Sequence, residues 1–66
     1  MRILVNGKEQ EAPEGLTIRG LLDRLKVSGT SVAVERNAQV VPRKAYDSSA
    51  LAEGDRIEIV TFVGGG

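Results

Sequence analysis

Sustained helical periodicity occurs in one place in this chain. Ile18, Leu21, Leu22 and Leu25 recur at i, i+3, i+4 and i+7, which lines apolar side chains along one face of a helix of roughly two to three turns. Arg19, Asp23, Arg24 and Lys26 fall off that stripe. Thr17 stands where its hydroxyl can accept from a free amide of the first turn, and Ser28-Gly29 is the expected stop. Gly20 inside the helix costs about 1 kcal/mol relative to alanine, so the helix must gain its stability by packing. A chain with one such stripe needs a second layer to cover it.

The flanking segments supply that layer with period two. Met1, Ile3 and Val5 alternate with Arg2, Leu4 and Asn6, a half-buried strand. Asn6-Gly7 follows, a strong hairpin signal because a type I′ turn needs positive φ at both central residues. Lys8–Ala12 reads as a polar return strand at a sheet edge, closed by Pro13-Glu14-Gly15. Ser31–Arg36 is β-branched with Val32 and Val34 on one face, Asn37-Ala38 turns the chain, and Gln39–Val41 forms a short strand that Pro42 ends. Arg43–Ala52 is irregular, with room for one helical turn, and Glu53-Gly54-Asp55 is a tight turn. In Arg56–Val63, Ile57, Ile59, Thr61 and Val63 alternate with Glu58, Val60 and Phe62; this most apolar strand is expected to be central. The order is strand, strand, helix, strand, short strand, strand. It predicts an α+β fold, a β-grasp (ubiquitin-like) roll with a mixed sheet packed on one main helix, over residues 1–63. Residues 64–66 are expected to form a flexible glycine tail.

Composition narrows function by exclusion. A chain of 66 residues buries only roughly 60% of the surface its unfolded form exposes, which leaves little room for a deep catalytic pocket. Nine basic and nine acidic side chains cancel, so there is no basic stripe of the kind that collects phosphates; no nucleic-acid partner is expected. No apolar run can span a membrane, and no membrane partner is expected. The amino-terminal residues are too soon polar for a signal peptide, which points to the cytoplasm. Cysteine and histidine are absent, which removes thiol nucleophiles, thiolate metal sites and the usual neutral-pH base. No catalytic or metal-ligating constellation can be assembled; the chain reads as a partner or substrate of enzymes and not as an enzyme.

Gly64-Gly65-Gly66 is the segment with chemical content. Glycine lacks a Cβ, so three in succession are narrow enough to thread a channel closed to other residues. A frayed end is the plain alternative. Placed after a rigid central strand, however, the run would project a carboxylate from the body. A carboxylate is a poor electrophile until it attacks the α-phosphate of ATP and becomes an acyl-adenylate. A sulfur nucleophile can then displace AMP and leave a thiocarboxylate, sulfur carried without any cysteine.

Several segments together resemble a known family. They are the opening strand with Val5-Asn6-Gly7, the helix Thr17-Ile18-Arg19-Gly20-Leu21-Leu22, Val34-Glu35-Arg36-Asn37 through Val41-Pro42-Arg43, and Gly54-Asp55-Arg56-Ile57-Glu58-Ile59 leading to Val63-Gly64-Gly65-Gly66. The chain is similar over its whole length to the ThiS family, the ubiquitin-like sulfur carriers of bacterial thiamine (thiazole) biosynthesis. The resemblance implies that Gly66 is the adenylation and thiocarboxylate site, with Gly65 completing the family's terminal Gly-Gly and Gly64 an extra glycine. It implies three partners: a ubiquitin-activating-type adenylyltransferase, a cysteine desulfurase as sulfur source, and thiazole synthase as acceptor. It implies no resident cofactor, ATP being used by the adenylyltransferase.

Ordering the tail costs roughly 1–2 kcal/mol per residue, and glycines offer no side-chain contacts in return. Partner affinity should therefore come from the folded body. Leu4, Val60 and Phe62 alternate against the core positions of the first and last strands, and are expected to form one contiguous apolar patch beside the tail. Arg36 and Arg43 read as solvated side chains, and Asn37 as a turn residue. Two other readings stay open. One is a carrier for molybdopterin, tRNA thiolation or cysteine synthesis. The other is a ubiquitin-like module whose tail is never activated, or is joined to lysines.

Overall fold

The computed structural model describes residues 1–62. Five strands and one helix appear in the predicted order: β1 (Arg2–Val5), β2 (Lys8–Glu11), α1 (Ile18–Leu25), β3 (Val32–Arg36), β4 (Gln39–Val40) and β5 (Arg56–Thr61). Single 3-10 turns lie at Gly29–Ser31 and Arg43–Ala45. The strands form one mixed sheet in the order β2-β1-β5-β3-β4. β5 is its centre, parallel to β1 and antiparallel to β3. The β-grasp architecture expected from the element order is the one observed.

The first hairpin turns as its sequence requires, with φ of 51° at Asn6 and 82° at Gly7. The register Val5↔Lys8 and Ile3↔Gln10 sends Ile3 and Val5 into the core and leaves the polar β2 at an edge. The second hairpin has the same shape, with φ of 52° at Asn37 and 70° at Ala38.

The helix presents its stripe to the sheet. Ile18, Leu21 and Leu22 are buried, while Leu25 lies at the margin of the contact. Eight residues are too few for a stable helix in water. Burial of the three aliphatic side chains, worth roughly 1.5–3 kcal/mol each, supplies what local propensity does not. Thr17 is the N-cap, its Oγ1 accepting from the Gly20 amide at 3.1 Å. The helix stops earlier than Ser28-Gly29. Lys26 adopts the left-handed conformation and donates its amide to the Asp23 and Leu22 carbonyls. Gly29 is instead buried against the Arg19 side chain.

The irregular stretch after β4 contributes more to the core than its pattern suggested. Tyr46 and Leu51 are both buried. Their segment wraps the start of α1: the Ile18 and Arg19 amides donate to the Ser49 and Tyr46 carbonyls, and Leu51 donates to Leu16. These bonds occupy two amides that a helix start otherwise leaves without partners. Ile3, Val5, Ala12, Val32, Val34 and Ile57 complete the core. Among the described residues no helix is long and apolar enough to cross a membrane.

Candidate partner surface and the start of β5

The two faces of β5 have different tasks. Ile57 is buried and Ile59 half-buried beneath α1, whereas Arg56, Glu58, Val60 and Phe62 point to the opposite, uncovered face. Val60 is 58% exposed and Phe62 54%, and as neighbours on one face they count as an apolar patch and not as scattered single residues. Phe62 lies just past the strand, its amide donating to the Ser31 carbonyl at 2.9 Å. Gly64, Gly65 and Gly66, the proposed tail and its activated end, fall outside the described residues, as does Val63.

Strand register decides which of the expected patch residues meet. Val60 pairs with Ala33 of β3, and Phe62 follows two positions along on the same face. Leu4 pairs with Arg56, four residues before Val60, or roughly 13 Å away at the rise of an extended strand. Arg56 and Glu58 occupy the intervening outer positions of β5, and Leu4 is itself half-buried. The structure thus brings Val60 and Phe62 together but does not bring Leu4 to them. The reason is that β1 and β5 run parallel and pair at the start of β5, not along its length. Apolar surface continues the other way. Val40 of β4, 70% exposed, pairs with Glu35 of β3 and lies diagonal to Ala33 on the same face. Val40 did not stand out in the sequence, because β4 has only two residues and no periodicity to read.

The start of β5 holds the chain's one buried charge among the described residues. Asp55 is 6% exposed. Its Oδ2 accepts from the Ala52 amide at 2.8 Å and faces Arg36 Nη2 at 2.8 Å, while its Oδ1 accepts from Asn37 Nδ2 at 3.1 Å. Burial alone would push this carboxyl up. The Ala52 amide, the Asn37 amide and the Arg36 guanidinium outweigh burial and hold it below the ordinary carboxylate range. Arg36 is therefore a paired, half-buried residue and not a freely solvated one. The Asp55 carbonyl also accepts from Leu4, and Gly54 donates to the Arg2 carbonyl, so β1, β5 and the second hairpin converge at this turn. The network fixes where β5 starts, and with it the register that aims Val60 and Phe62 outward.

Comparison with known proteins decides the family. The ThiS family model matches residues 2–66. The chain belongs to the ThiS family. A sulfur carrier protein ThiS of Bacillus subtilis is 38% identical over 63 residues, 94% of this chain and 96% of that protein. The crystal structure of a thiamine biosynthesis protein (ThiS) from Geobacter metallireducens is 39% identical, with a TM-score of 0.84 over the whole of both chains. A thiazole synthase of Paramagnetospirillum magneticum is 42% identical over 66 residues, all of this chain and 20% of that protein. The chain thus spans about a fifth of the length of the thiazole synthases it matches. ThiS-family proteins are sulfur carriers of thiamine biosynthesis and not catalysts, and the family expected from the sequence is the family found.

Proposed function

We propose that this chain carries sulfur as a thiocarboxylate on Gly66 and delivers it to the enzyme that builds the thiazole ring of thiamine. The observation that carries the reading is the position of Gly64-Gly65-Gly66 beyond β5, the central strand of the sheet, with two residues between. A rigid central strand gives the glycines a fixed root, and the lack of side chains lets them enter a narrow site.

The Gly66 carboxylate attacks the α-phosphate of ATP in an adenylyltransferase, forming an acyl-adenylate and releasing pyrophosphate. The terminal sulfur of a desulfurase persulfide then attacks the acyl carbon and AMP leaves. A thiol cleaves the resulting acyl disulfide, giving the thiocarboxylate and a new disulfide on the donor side. Nothing in this sequence needs a cofactor resident in the carrier; ATP is consumed in the partner. The work belongs in the cytoplasm, where ATP and the desulfurase are at hand. Thiazole synthase is the favoured acceptor over molybdopterin, tRNA or cysteine pathways. Two relatives named thiazole synthase contain a stretch similar to this whole chain, and joining two proteins in one polypeptide raises their effective concentration for each other.

Intact-mass spectrometry tests the reading. The chain ending at Gly66, incubated with ATP, adenylyltransferase and sulfur donor, should gain the mass difference between sulfur and oxygen. A chain lacking Gly66, or carrying a tryptophan after it, should not. Full sulfur gain by the tryptophan-extended chain, without cleavage, overturns the role of Gly66. Conjugates to lysine would identify a protein modifier instead. Phe62→Asp should fold normally and bind the adenylyltransferase more weakly by calorimetry.

A further inference from the structure

The outer face of the sheet contains an arrangement that the folded chain does not satisfy by itself. Glu35 of β3 and Glu58 of β5 are register partners, so their side chains leave the same face with Cβ atoms about 5 Å apart. Like charges placed directly opposite destabilise a sheet. Neither carboxylate forms an ion pair among the described residues, although all nine lysines and arginines lie within them. Arg2 is engaged by Glu9 and Glu11, Arg19 by Asp47, and Arg36 by Asp55. Arg56, on the same face as Glu58, forms no ion pair with it. The acidic pair is bordered by apolar surface: Val40 is the register partner of Glu35, and the Ala33–Val60 pair is the next outward row, with Phe62 beyond it.

We infer that the face formed by Val40, Ala33, Val60 and Phe62, with Glu35 and Glu58 along its border, docks a protein surface that brings an arginine or lysine to the two carboxylates. Charge complementarity chooses the occupant. A purely apolar partner would bury two like charges without compensation, which is strongly unfavourable. A second copy meeting face to face would bring four carboxylates together. A guanidinium entering between Glu35 and Glu58 relieves the repulsion and can bond both groups at once. The inference rests on the carrier reading in one respect: because Phe62 stands two residues before the glycines, the occupant is taken to be the adenylyltransferase that receives them. It moves the docking surface away from Leu4 and toward β4.

Calorimetric binding to the adenylyltransferase tests this, with thermal melts of the free chain alongside. E35Q/E58Q should weaken affinity by about tenfold or more, the cost of removing one side of a desolvated charge pair. The same variant should melt a few degrees higher, roughly 1–4 °C, because the cross-strand repulsion is gone. Higher binding with lower stability is the natural protein's trade, and a merely structural pair would not show it. Val40→Ser should weaken binding several-fold. E9Q/E11Q on β2 removes the same charge elsewhere and should bind as the natural chain does. Equal affinity of E35Q/E58Q and the natural chain overturns the inference, as does equal weakening by E9Q/E11Q, which would indicate net charge alone. Self-association of the natural chain that strengthens in E35Q/E58Q assigns the face to a second copy and also overturns it. Sulfur gain by the natural chain, read by mass, separates the two ideas. Gain with unchanged variant affinity sinks only the docking surface; a natural chain that neither binds nor gains sulfur sinks both.

Discussion

The two hairpins make the same turn with different residues and end in different surroundings. Asn6-Gly7 and Asn37-Ala38 both have two consecutive positive φ values, and in both the asparagine side chain reaches across to β5. Asn6 accepts from the Ile59 amide at 2.7 Å and donates to the Ile59 carbonyl at 3.3 Å. Asn37 accepts from the Arg56 amide at 3.0 Å and donates to Asp55 at 3.1 Å. β5 is therefore clipped from both sides by a turn residue. Asn6 meets backbone near the surface, whereas Asn37 meets a buried charge. The first turn is a local hairpin that happens to touch β5. The second is part of the structure that fixes where β5 begins, and it is built with an alanine where its counterpart has glycine.

Removing the charge should break the comparison most. Asp55→Ala leaves Arg36 half-buried without its partner and frees the Ala52 and Asn37 donors, which should cost about 2–4 kcal/mol. In a domain of this size that lowers the melting temperature by roughly 10–25 °C, read by calorimetry or circular dichroism. Acid should act on the same site. The folded carboxyl is held below its unfolded value, so its contribution is fully present above about pH 4 and is lost as pH falls further through the folded value. Acid titration of stability should show this loss, and Asp55→Asn should flatten it; an unchanged acid profile in that variant would assign the acid sensitivity to other carboxylates.

Glycine at each asparagine separates the side-chain bonds from the turn geometry, because glycine keeps positive φ without strain. Asn37→Gly should cost about 1–2 kcal/mol, since it leaves Asp55 short of a donor in a buried place. Asn6→Gly should cost about 0.5–1 kcal/mol, since water can reach the Ile59 groups. Equal costs would show that the two clips are energetically alike. The smallest expected effect is at the neighbouring position. Ala38 holds a left-handed conformation that disfavours a Cβ, so Ala38→Gly should stabilise by about 0.5 kcal/mol once the entropy of glycine in the unfolded chain is subtracted. Gly7→Ala should destabilise by about 1 kcal/mol for the same reason.

Periodicity made the fold legible. The stripe Ile18-Leu21-Leu22-Leu25, the Asn6-Gly7 turn and the alternation of Ile57, Ile59 and Thr61 are local signals; each placed its element and the buried face of that element, while the helix ended before Ser28-Gly29 and β5 is Arg56–Thr61. Segments without periodicity were not legible. Tyr46 and Leu51 enter the core from an irregular stretch because it folds back over the start of α1, a contact that spacing along the chain does not encode. Asp55 looked like any turn acid, and Arg36 like any surface base, because their pairing joins residues 19 apart in sequence. The candidate surface was half legible. Alternation identified Val60 and Phe62 as outward residues and did the same for Leu4. Alternation gives the face of a residue but not its neighbours across the sheet.

By itself, then, the sequence determined the elements, their inner and outer faces and the glycine run, because each is a property of adjacent or periodically spaced residues. Tertiary structure alone decided that β1 meets only the start of β5, that Val40 joins Val60 while Leu4 does not, and that Glu35 faces Glu58. Those outcomes depend on strand register. Here register is set by buried contacts between distant residues, Asp55 with Arg36 and Asn37 above all, which no local pattern contains.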